Sequence, residues 1–522
     1  MTSETVDVIV VGSGNAGFSA AASAKEHGAE SVLVLEKAPE AWAGGNSTFT
    51  AGAYRTVFAG LEDVLPLVNN VSPDMVDKID MEPYTEEDFL NDLNRMCEGK
   101  SDPTLANALV EDSWETTKWL HANGIRFQLS FNRQAYKIDG RQKFWGGMVL
   151  KVEDGGKGLT KQHQENCKRL EIDVRYDSPV VDILANEAGA IIGVTVKLVD
   201  RPEHAVHSRG GVILCAGGFE ANADMRNRHL GPNWDRAYVR GTPYNTGDLL
   251  SLATNLGAAT TGDWAGCHST CWDFNAPSKA GDQQLTNQYT KSGYPLGLMF
   301  NTKGLRFVDE GEDMRNFTYA KFGRAILQQP DGVAFQVWDA DGVSWLRKEE
   351  YAEEVVERIS AGSLAEMAEL LEKKGLQDSQ AFLDSIEEYN LAVRTFASEN
   401  PAIVFDPSKK DGMSTKSSSG SLKLGPDKTN WAKPVIKPPF LAVKVTCGIT
   451  FTFGGLRADA STGAVLRESE LKPMEGLFVA GEMLGGLFFG NYPGGSGLTS
   501  GAVFGRRAGR EATIRASRSF HE

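Results

Sequence analysis

The sequence VDVIVVGSGNAG occupies residues 6–17 and carries the strongest structural signal in the chain. Its apolar first half predicts a buried parallel strand, and its second half has the spacing Gly12-x-Gly14-x-x-Gly17. In such a turn Gly12 permits the sharp bend, Gly14 lets the backbone approach a pyrophosphate, and Gly17 lets the next helix pack on the strand. The stretch therefore predicts a strand followed by a phosphate-binding turn.

The residues that follow complete a dinucleotide-binding unit. An Ala- and Ser-rich helix is expected up to Gly28, and a second apolar strand over residues 31–35 ends in Glu36. The helix N-terminus offers N–H groups to phosphates, and the Glu36 carboxylate can accept from both ribose hydroxyls of an adenosine. A turn that binds no nucleotide is the alternative, and the complete strand–turn–helix–strand context favours a dinucleotide.

The rest of the chain favours FAD over NAD. No second Gly-x-Gly-x-x-Gly follows a strand in the C-terminal half, whereas Gly-rich strand ends lie far apart, at residues 216–218 and 480–482. NAD is normally held by one compact domain, but the longer FAD needs contacts from distant segments. Glycine is also in excess, with 56 residues of 522 against a typical share of about 7%. We therefore predict a flavoprotein.

Composition and charge argue against several classes of function. The formal charge of −15 argues against a nucleic-acid partner and against attraction to anionic lipid. Six scattered cysteines are too few for a disulfide framework and favour a reducing compartment. We expect no secretory signal, because Glu4 and Asp7 precede and interrupt the first apolar run, and no membrane span. The sequence thus predicts a cytoplasmic protein.

The pattern of predicted strands and helices changes twice along the chain. Strand patterns over residues 171–218 continue the style of the N-terminus, and a block with short strands, aromatic clusters and acidic helices follows. We expect those helices at residues 348–374 and 379–400. A strand at residues 476–482 and a final helix from about Ser496 return to the first style.

These changes predict an α/β protein whose Rossmann-like FAD-binding domain is split by an insertion. We expect the first part of the FAD-binding domain at residues 1–262 and the second part at residues 446–522. The inserted α+β domain is expected at residues 263–445.

Further motifs occur in a specific order and together resemble one flavoprotein family, that of fumarate reductases, succinate dehydrogenase and 3-ketosteroid dehydrogenases. The resemblance covers nearly the whole chain. It implies a capping domain that closes over the flavin, and hydride exchange between flavin N5 and one carbon of a C–C bond next to a carbonyl or carboxylate. Beyond the first turn and Glu36-Lys37, the motifs are Gly44-Gly45-Asn46-Ser47, Ala216-Gly217-Gly218-Phe219, Thr246-Gly247-Asp248, Gly454-Gly455, Val479-Ala480-Gly481-Glu482 and Gly494-Gly495-Ser496-Gly497.

The resemblance also implies which residues contact FAD. Succinate dehydrogenase attaches its flavin through a histidine in the segment equivalent to residues 36–60, where this chain has none, so noncovalent FAD is expected. The implied contacts are Gly12, Ser13, Gly14, Ala16, Gly17, Glu36, Lys37, Gly44, Gly45, Asn46, Ser47, Gly52, Val181, Ala216, Gly217, Gly218, Asp248, Gly481, Glu482, Ser496, Gly497 and Leu498.

Two stretches depart from the fumarate reductases. Those enzymes hold substrate carboxylates with a His before the first of two Gly-Gly pairs and an Arg before the second. Residues 448–455 (GITFTFGG) and 490–497 (GNYPGGSG) contain neither. These versions resemble tricarballylate dehydrogenase, and Tyr492 is also similar to the tyrosine that helps polarise a ketone in 3-ketosteroid dehydrogenases. Plain fumarate or succinate is therefore not the expected substrate.

Arg315 is the implied proton-transfer residue. It lies where fumarate reductases place an arginine proton donor, after a Gly-x-Arg-Phe stretch at residues 304–307. The alternative is an ion pair between Arg315 and Asp313 or Glu310 on the surface. The Glu and Arg that feed the proton path in fumarate reductases have no match in residues 289–294, so the source of the proton is not identified by the resemblance.

His268 lies where the family places a carboxylate-binding histidine, and a structural histidine is the alternative. A zinc site with Cys267 and Cys271 is a further alternative, but Cys-x₃-Cys without a second ligand pair is poor metal spacing, and no metal is expected.

Tyr492 precedes a predicted helix N-terminus that should face the flavin pyrimidine, which favours substrate contact over simple aromatic packing. Thr450 and Thr452 alternate with phenylalanines and share one strand face, so they are expected either as polar substrate contacts or as core hydroxyls. Gly495 is the remaining implied substrate contact.

The sequence as a whole predicts a FAD-dependent oxidoreductase that acts on a CH–CH bond of a small carboxylate or keto substrate, most like tricarballylate dehydrogenase. In this hypothesis a hydride leaves for flavin N5 and Arg315 takes a proton from the neighbouring carbon. The alternatives are an ene-reductase, a 3-ketosteroid dehydrogenase-like enzyme, and a non-catalytic electron-transfer or redox-sensing flavoprotein, which the retained pocket and the lack of Cys-x-x-Cys disfavour. The electron acceptor or donor is not identified by any motif.

Overall fold

The computed structural model describes residues 4–199, 201–277 and 279–519. These residues form two compact units. Unit 1 comprises the described residues within 1–231, 241–267 and 450–522, and unit 2 comprises those within 232–240 and 268–449.

The centre of unit 1 is a six-stranded sheet. Five of its strands are parallel neighbours, and the last pairs antiparallel, as in a Rossmann-like domain with one added edge strand. In spatial order the strands are Asp173–Arg175, Val32–Leu35, Val8–Val11, Val212–Leu214, Pro473–Val479 and Ala464–Leu466.

The first strand is shorter than residues 6–11 predicted. The strand begins at Val8. The preceding residue, Asp7, is held outside it, since its carboxylate accepts hydrogen bonds from the backbone nitrogens of Glu30 (2.8 Å) and Ser31 (2.9 Å). Residues Glu4–Val6 form a separate strand in a second sheet.

Unit 1 also contains three smaller sheets. The four-stranded sheet has the order Glu4–Val6, His204–Ser208, Ile191–Val196 and Val180–Ala185. The two three-stranded sheets are Ala53–Tyr54, Leu150–Val152 and Phe127–Leu129, and Ile79–Asp80, Arg141–Phe144 and Ala135–Ile138.

The first and last helices of unit 1 pack closely. Gly505 and Gly509 allow this approach, since a Cβ on either would lie within 2.5 Å of a backbone oxygen of Ala16 or Ala20. The α-helices of the unit are Asn15–Glu26, Leu61–Val64, Pro73–Val76, Glu86–Met96, Pro103–Ala122, Phe131–Gln134, Gly155–Arg169, Ala223–Leu230, Asp248–Asn255 and Ser496–Ser519. Its short 3₁₀ segments are Glu40–Trp42, Gly45–Phe49, Leu65–Leu67 and Gly481–Met483.

Unit 2 is built on a mixed sheet. Its strand path runs Tyr238–Val239, Phe440–Leu456, Ala334–Trp338 and Leu298–Asn301, and Ile359–Ala361 and Thr260–Asp273 also pair with Phe440–Leu456. The strands Thr260–Asp273 and Phe440–Leu456 each begin in one unit and end in the other.

The helices of unit 2 correct one prediction. Residues 348–374 are not one helix but a helical turn, Lys348–Tyr351, a strand, Ile359–Ala361, and a helix, Leu364–Glu372, whose N-terminus is capped by the Ser363 hydroxyl. The helix predicted at 379–400 is confirmed as Ser379–Glu399. The others are Thr286–Tyr289, Arg315–Thr318, Phe322–Leu327 and Ala340–Val343, with 3₁₀ segments Trp234–Arg236, Tyr294–Leu296 and Pro330–Gly332.

Two global features bear on the predictions from composition. All six cysteines are buried and none is joined in a disulfide. Among the described residues, no helix combines the length and apolar character that crossing a membrane requires.

Candidate active site

Two glycines of the first turn are required by the fold of unit 1 itself. Gly12 has a left-handed φ of +108°, and a Cβ there would lie 2.3 Å from the carbonyl oxygen of Cys215. A Cβ on Gly17 would lie 1.9 Å from the carbonyl oxygen of Gly12. The protein's own backbone therefore excludes a side chain at both positions, whether or not a ligand is bound.

Gly14 is different, because the protein leaves room beside it. The nearest atoms to a Cβ there, the Gly44 oxygen and the Ser47 hydroxyl, are 3.6 Å away, an ordinary contact distance. Gly14 is also the N-cap of the helix Asn15–Glu26, whose first N–H groups favour anions. The packing of the protein alone does not require glycine at residue 14. A glycine there, at a helix N-terminus, suits a pyrophosphate held against the backbone.

Glu36 is held in place at the end of the second strand. One carboxylate oxygen accepts from the Ser13 backbone nitrogen (2.9 Å) and hydroxyl (2.7 Å), and the other accepts from the Ala38 nitrogen (2.8 Å). The oxygen that accepts only from Ala38 has a further lone pair for a ribose hydroxyl. The next residue, Lys37, forms an ion pair with Asp248 (2.6 Å), so two predicted contacts from distant segments meet here.

The Gly-rich segment at residues 44–47 connects the first turn to the other strand ends of unit 1. The Ser47 hydroxyl accepts from the backbone nitrogen of Asn15 (3.0 Å). The Asn46 amide donates to Glu220 and to the carbonyl oxygen of Thr450 (2.6 Å). Predicted cofactor and substrate contacts thus share one hydrogen-bonded network.

Two carboxyl groups lie at the ends of the central strands. Glu482 accepts from the Thr452 backbone nitrogen (2.7 Å) and hydroxyl (2.9 Å). Glu220, which the sequence analysis missed, is completely buried and accepts from Asn245 (2.6 Å). Burial raises the pKa of both carboxyl groups, and the charge of Glu220 raises that of Glu482 further.

Tyr492 lies in an aromatic cluster near the N-terminus of the last helix. Its ring contacts those of Phe451, Phe453 and Phe488 at centroid distances of 5.6, 6.0 and 5.3 Å. The ring edges of Tyr492 and Phe451 are the nearest atoms to a Cβ on Gly497, at 3.7 and 3.8 Å. The predicted association of Tyr492 with this helix N-terminus is thus present, within a largely apolar wall.

A buried arginine, also missed from the sequence, supports the loop before that helix. Arg55 is fully buried and donates from Nε to the carbonyl oxygen of Gly494 (2.8 Å). Its charge is matched by Asp92 (2.8 Å) and it donates to the Tyr84 hydroxyl (2.7 Å). Gly495 has a left-handed φ of +86°, and a Cβ there would be 2.9 Å from the Arg55 nitrogen. The loop before the last helix is therefore held by packing and charge.

The other predicted cofactor contacts occupy different positions in unit 1. Ala16 and Gly481 are neighbours, since a Cβ on Gly481 would lie 2.8 Å from that of Ala16. The Leu498 carbonyl oxygen accepts from the Asn15 amide (2.8 Å). Val181 is half-buried in the strand Val180–Ala185, and no contact with the first turn distinguishes it. The remaining members are Gly52, Ala216, Gly217 and Gly218, at strand ends and turns, and Ser496, the first residue of the last helix.

In unit 2, Arg315 is the first member of a hydrogen-bonded chain. Arg315 Nη1 donates to the Ser292 hydroxyl (3.2 Å), and that hydroxyl donates to Glu350 (2.5 Å). The other oxygen of Glu350 accepts from Arg347 Nη1 (3.2 Å). Glu310, one alternative ion partner for Arg315, instead pairs with Arg306 (2.5 Å).

Lys291, next to Ser292, is a second buried charge in this region. Its Nζ lies 3.6 Å from the Asp273 carboxylate and donates to the carbonyl oxygen of Gln288 (2.5 Å). Burial lowers the pKa of Lys291 to about 8. A buried ammonium poised this way adds a titratable group beside the Arg315 chain.

His268 is buried in unit 2, with its ring edge-on to that of Tyr319 at 4.8 Å. Burial, and then the charge of Arg240, lower the pKa of His268 well below its usual value, so the ring is neutral at pH 7. Arg240, missed by sequence reasoning, donates to Asn287 (2.8 Å). The described residues contain no group of three or more His, Cys, Asp or Glu side chains arranged for a metal.

The parallel strand order, the glycine turn and Glu36 are those of a dinucleotide-binding protein. The family described as FAD binding domain matches residues 7–498, and the chain belongs to this family. The predictions of an α/β flavoprotein fold and of FAD as the cofactor are thereby confirmed.

Comparisons with individual proteins agree. A probable fumarate reductase of Shewanella frigidimarina is 26% identical over 511 residues, which are 98% of this chain and 75% of the relative. The solved open conformation of a flavocytochrome c3 fumarate reductase has a TM-score of 0.70 at 24% identity, over 98% of this chain and 79% of that one. A 3-ketosteroid Δ1-dehydrogenase from Sterolibacterium denitrificans has a TM-score of 0.71 at 20% identity, over 98% and 100%. The chain is a FAD-dependent oxidoreductase, as predicted.

Proposed function

We propose that this oxidoreductase acts on a C–C bond next to a carbonyl or carboxylate, with unit 1 binding FAD and Arg315 of unit 2 exchanging the proton. When bound, FAD supplies the hydride acceptor or donor, flavin N5. The noncovalent attachment predicted from residues 36–60 is part of this proposal. The observation that carries the assignment of Arg315 is its hydrogen-bonded chain to Ser292 and Glu350.

The hydrogen bonds from Arg315 through Ser292 to Glu350 give Arg315 a source and a destination for protons. A guanidinium is a poor acid alone, because it holds its proton strongly. The Ser292 hydroxyl accepts from Arg315 and donates to Glu350, so it can pass a proton between them. Glu350 is fully buried, while its partner Arg347 keeps 17% of its side-chain surface exposed and so extends the chain outward.

In this proposal the hydrogen-bonded path takes the place of the Glu and Arg of fumarate reductases that have no match in residues 289–294. Only Ser292 comes from that segment, and Arg347 and Glu350 come from the turn that precedes and forms the helix Lys348–Tyr351. In a dehydrogenation Arg315 passes the substrate proton to Glu350, and in a reduction the transfer runs the other way.

For the substrate, we propose a small carboxylate dehydrogenated as by tricarballylate dehydrogenase, with His268 and Tyr492 as contacts and Thr450, Thr452 and Gly495 lining the site. A neutral His268 binds a carboxylate as a hydrogen-bond donor rather than by charge. A cyclic ketone, as in 3-ketosteroid dehydrogenases, is the second candidate. It is favoured by the phenylalanines that surround Tyr492.

Stopped-flow reduction of the bound flavin by a panel of tricarboxylates, dicarboxylates and cyclic ketones tests this proposal. Rapid bleaching by tricarballylate supports the first candidate, and bleaching by ketones alone supports the second. Reoxidation of the reduced flavin by unsaturated acids or enones, without bleaching by any saturated compound, would assign the reductase direction. A flavin that reacts with neither class would contradict the proposed activity and favour a non-catalytic flavoprotein. The electron partner would then be sought among quinones, oxygen and carrier proteins.

A further inference from the structure

Glu220 and Glu482 approach each other around one glycine of unit 1. A Cβ on Gly218 would lie 2.1 Å from Oε1 of Glu482 and 2.8 Å from Oε2 of Glu220. Both oxygens therefore approach the same point, and the two carboxyl groups are neighbours in unit 1. Glu220 is fully buried, whereas Glu482 retains accessible surface. Glu220 is thus the more deeply buried of the two residues.

Of the four carboxyl oxygens of the pair, one is buried without a hydrogen-bond donor. Oε1 of Glu220 accepts hydrogen bonds from the side-chain amides of Asn46 and Asn245. Oε1 of Glu482 accepts from the backbone nitrogen and the hydroxyl of Thr452. Among the described residues, Oε2 of Glu220 is buried with no N–H or O–H donor. Such an orphaned oxygen is costly, and two carboxyl groups hydrogen bond only when one of them carries a proton.

We propose that Glu220 and Glu482 share one proton, and that Glu220 is a positioning residue that presents the Glu482 carboxyl to the cofactor. The second half of the inference rests on the proposed place of Glu482 in the FAD site. The pair then carries one negative charge beside the flavin instead of two.

The surroundings favour retention of this proton. Burial raises the pKa of Glu220 and of Glu482, since full ionisation would place two adjacent negative charges away from water. The cation that faces the pair is Arg226, from the helix Ala223–Leu230. It donates to the backbone oxygen of Glu220, and its charge acts in the opposite direction, toward ionisation. The other donors, Asn46, Asn245 and Thr452, are neutral.

The matched variant is Glu220→Gln, because a glutamine can still accept from both asparagines and donates permanently to Glu482. Infrared spectra of the wild-type holoenzyme should contain a protonated carboxylic acid band that shifts in D₂O. This band should be lost in Glu220→Gln and kept in the exposed control Glu187→Gln. A wild-type spectrum without the band would overturn the shared proton.

Stability gives a second readout that a purely structural role would not produce. Free glutamate loses its proton near a pKa of about 4.3, so above that pH the folded wild type holds a proton that the unfolded chain releases. Its folding equilibrium constant should then fall up to tenfold more per pH unit than that of Glu220→Gln, until the folded pair ionises. Equal pH slopes in the two holoenzymes would contradict the proposal.

The flavin reports the second half of the inference. If Glu482 contacts FAD, the dissociation constant of FAD should rise in wild type as the pair ionises at alkaline pH and stay constant in Glu220→Gln. An infrared band together with an FAD affinity that neither pH nor Glu220→Gln changes would overturn the positioning role and the place of Glu482 in the FAD site. If Glu220→Gln fails to fold, Glu482→Gln serves the same comparison with donor and acceptor exchanged.

Discussion

Glu350 accepts two hydrogen bonds from Ser292, one from its backbone nitrogen at 3.0 Å and one from its hydroxyl at 2.5 Å. The backbone bond fixes the carboxylate in position, and the hydroxyl bond connects it to Arg315. Arg315 and Glu350 are thus joined through a single hydroxyl, which one substitution removes.

Removing that connection should slow the proton-coupled step without affecting FAD. Glu350→Gln cannot take up a proton, and Ser292→Ala leaves a gap between Arg315 and Glu350, so we expect flavin reduction by substrate to slow about 10²-fold in each. The exposed neighbour Glu349→Gln is the control, with a rate close to wild type. Single-turnover absorbance of the flavin measures the effect. Equal slowing in Glu349→Gln would argue against proton transfer through Ser292 and Glu350.

Arg315→Lys should retain FAD and substrate binding, because the positive charge remains. It loses the planar guanidinium that reaches Ser292, and we expect flavin reduction to slow by about 10²–10⁴-fold. Rapid-mixing measurements separate this from binding, since the substrate dissociation constant should stay near that of wild type. A wild-type rate in Arg315→Lys would return this residue to a structural ion-pairing role.

Gly14→Ala and Gly12→Ala should fail for different reasons. The protein has room for a methyl group at Gly14 but not at Gly12, so Gly14→Ala should fold with weakened FAD binding, whereas Gly12→Ala should lose stability with or without FAD. Gly14→Val should abolish FAD binding. Thermal unfolding of the apoprotein and flavin content of the holoenzyme measure the two properties. An apoprotein destabilised as strongly by Gly14→Ala would contradict the ligand-imposed role.

Glu36→Gln should weaken FAD binding by about 1–2 kcal/mol, the scale of a hydrogen bond to a charged group. Flavin fluorescence titration of the apoprotein gives the affinity. Acid precipitation of the wild type should release the flavin into the supernatant, as expected of noncovalent FAD. Flavin that stays with the precipitated protein would show a covalent bond instead.

Tyr492→Phe removes one hydroxyl and keeps the aromatic cluster. If the hydroxyl only binds substrate, KM should rise with kcat unchanged, and if it polarises a carbonyl in the transition state, kcat should fall. Steady-state kinetics with a substrate from the panel distinguish these results. No change in either constant would place Tyr492 with the packing phenylalanines.

The sequence predicted best where local spacing alone imposes a conformation. Gly12, Gly17 and Glu36 belong to one strand–turn–helix–strand unit, and the structure has these elements in the predicted order. Residues 348–374 were predicted wrongly as a helix, because acidic helix-forming residues do not show that residues 359–361 pair with a sheet strand from residue 440 onward. Tertiary pairing outweighed local propensity there.

The proton chain was beyond sequence reasoning for a similar cause. Ser292 and Glu350 are 58 positions apart, and neither lies in a recognisable motif. Glu220 had a weak signal, as it directly follows the Gly217-Gly218-Phe219 strand end, but only the structure places it against Glu482. Contacts between distant segments depend on packing that no single segment encodes.

The close packing of the first and last helices has a consequence for biosynthesis. The Asn15 amide donates to the Leu498 carbonyl oxygen across 483 positions, and Gly505 and Gly509 lie against Ala16 and Ala20. At about 5–20 residues per second, a ribosome adds Leu498 roughly half a minute to a minute and a half after Asn15. During that interval the glycine turn lacks the helix that packs behind it. The contacts that support this turn therefore form only after nearly the whole chain has been made.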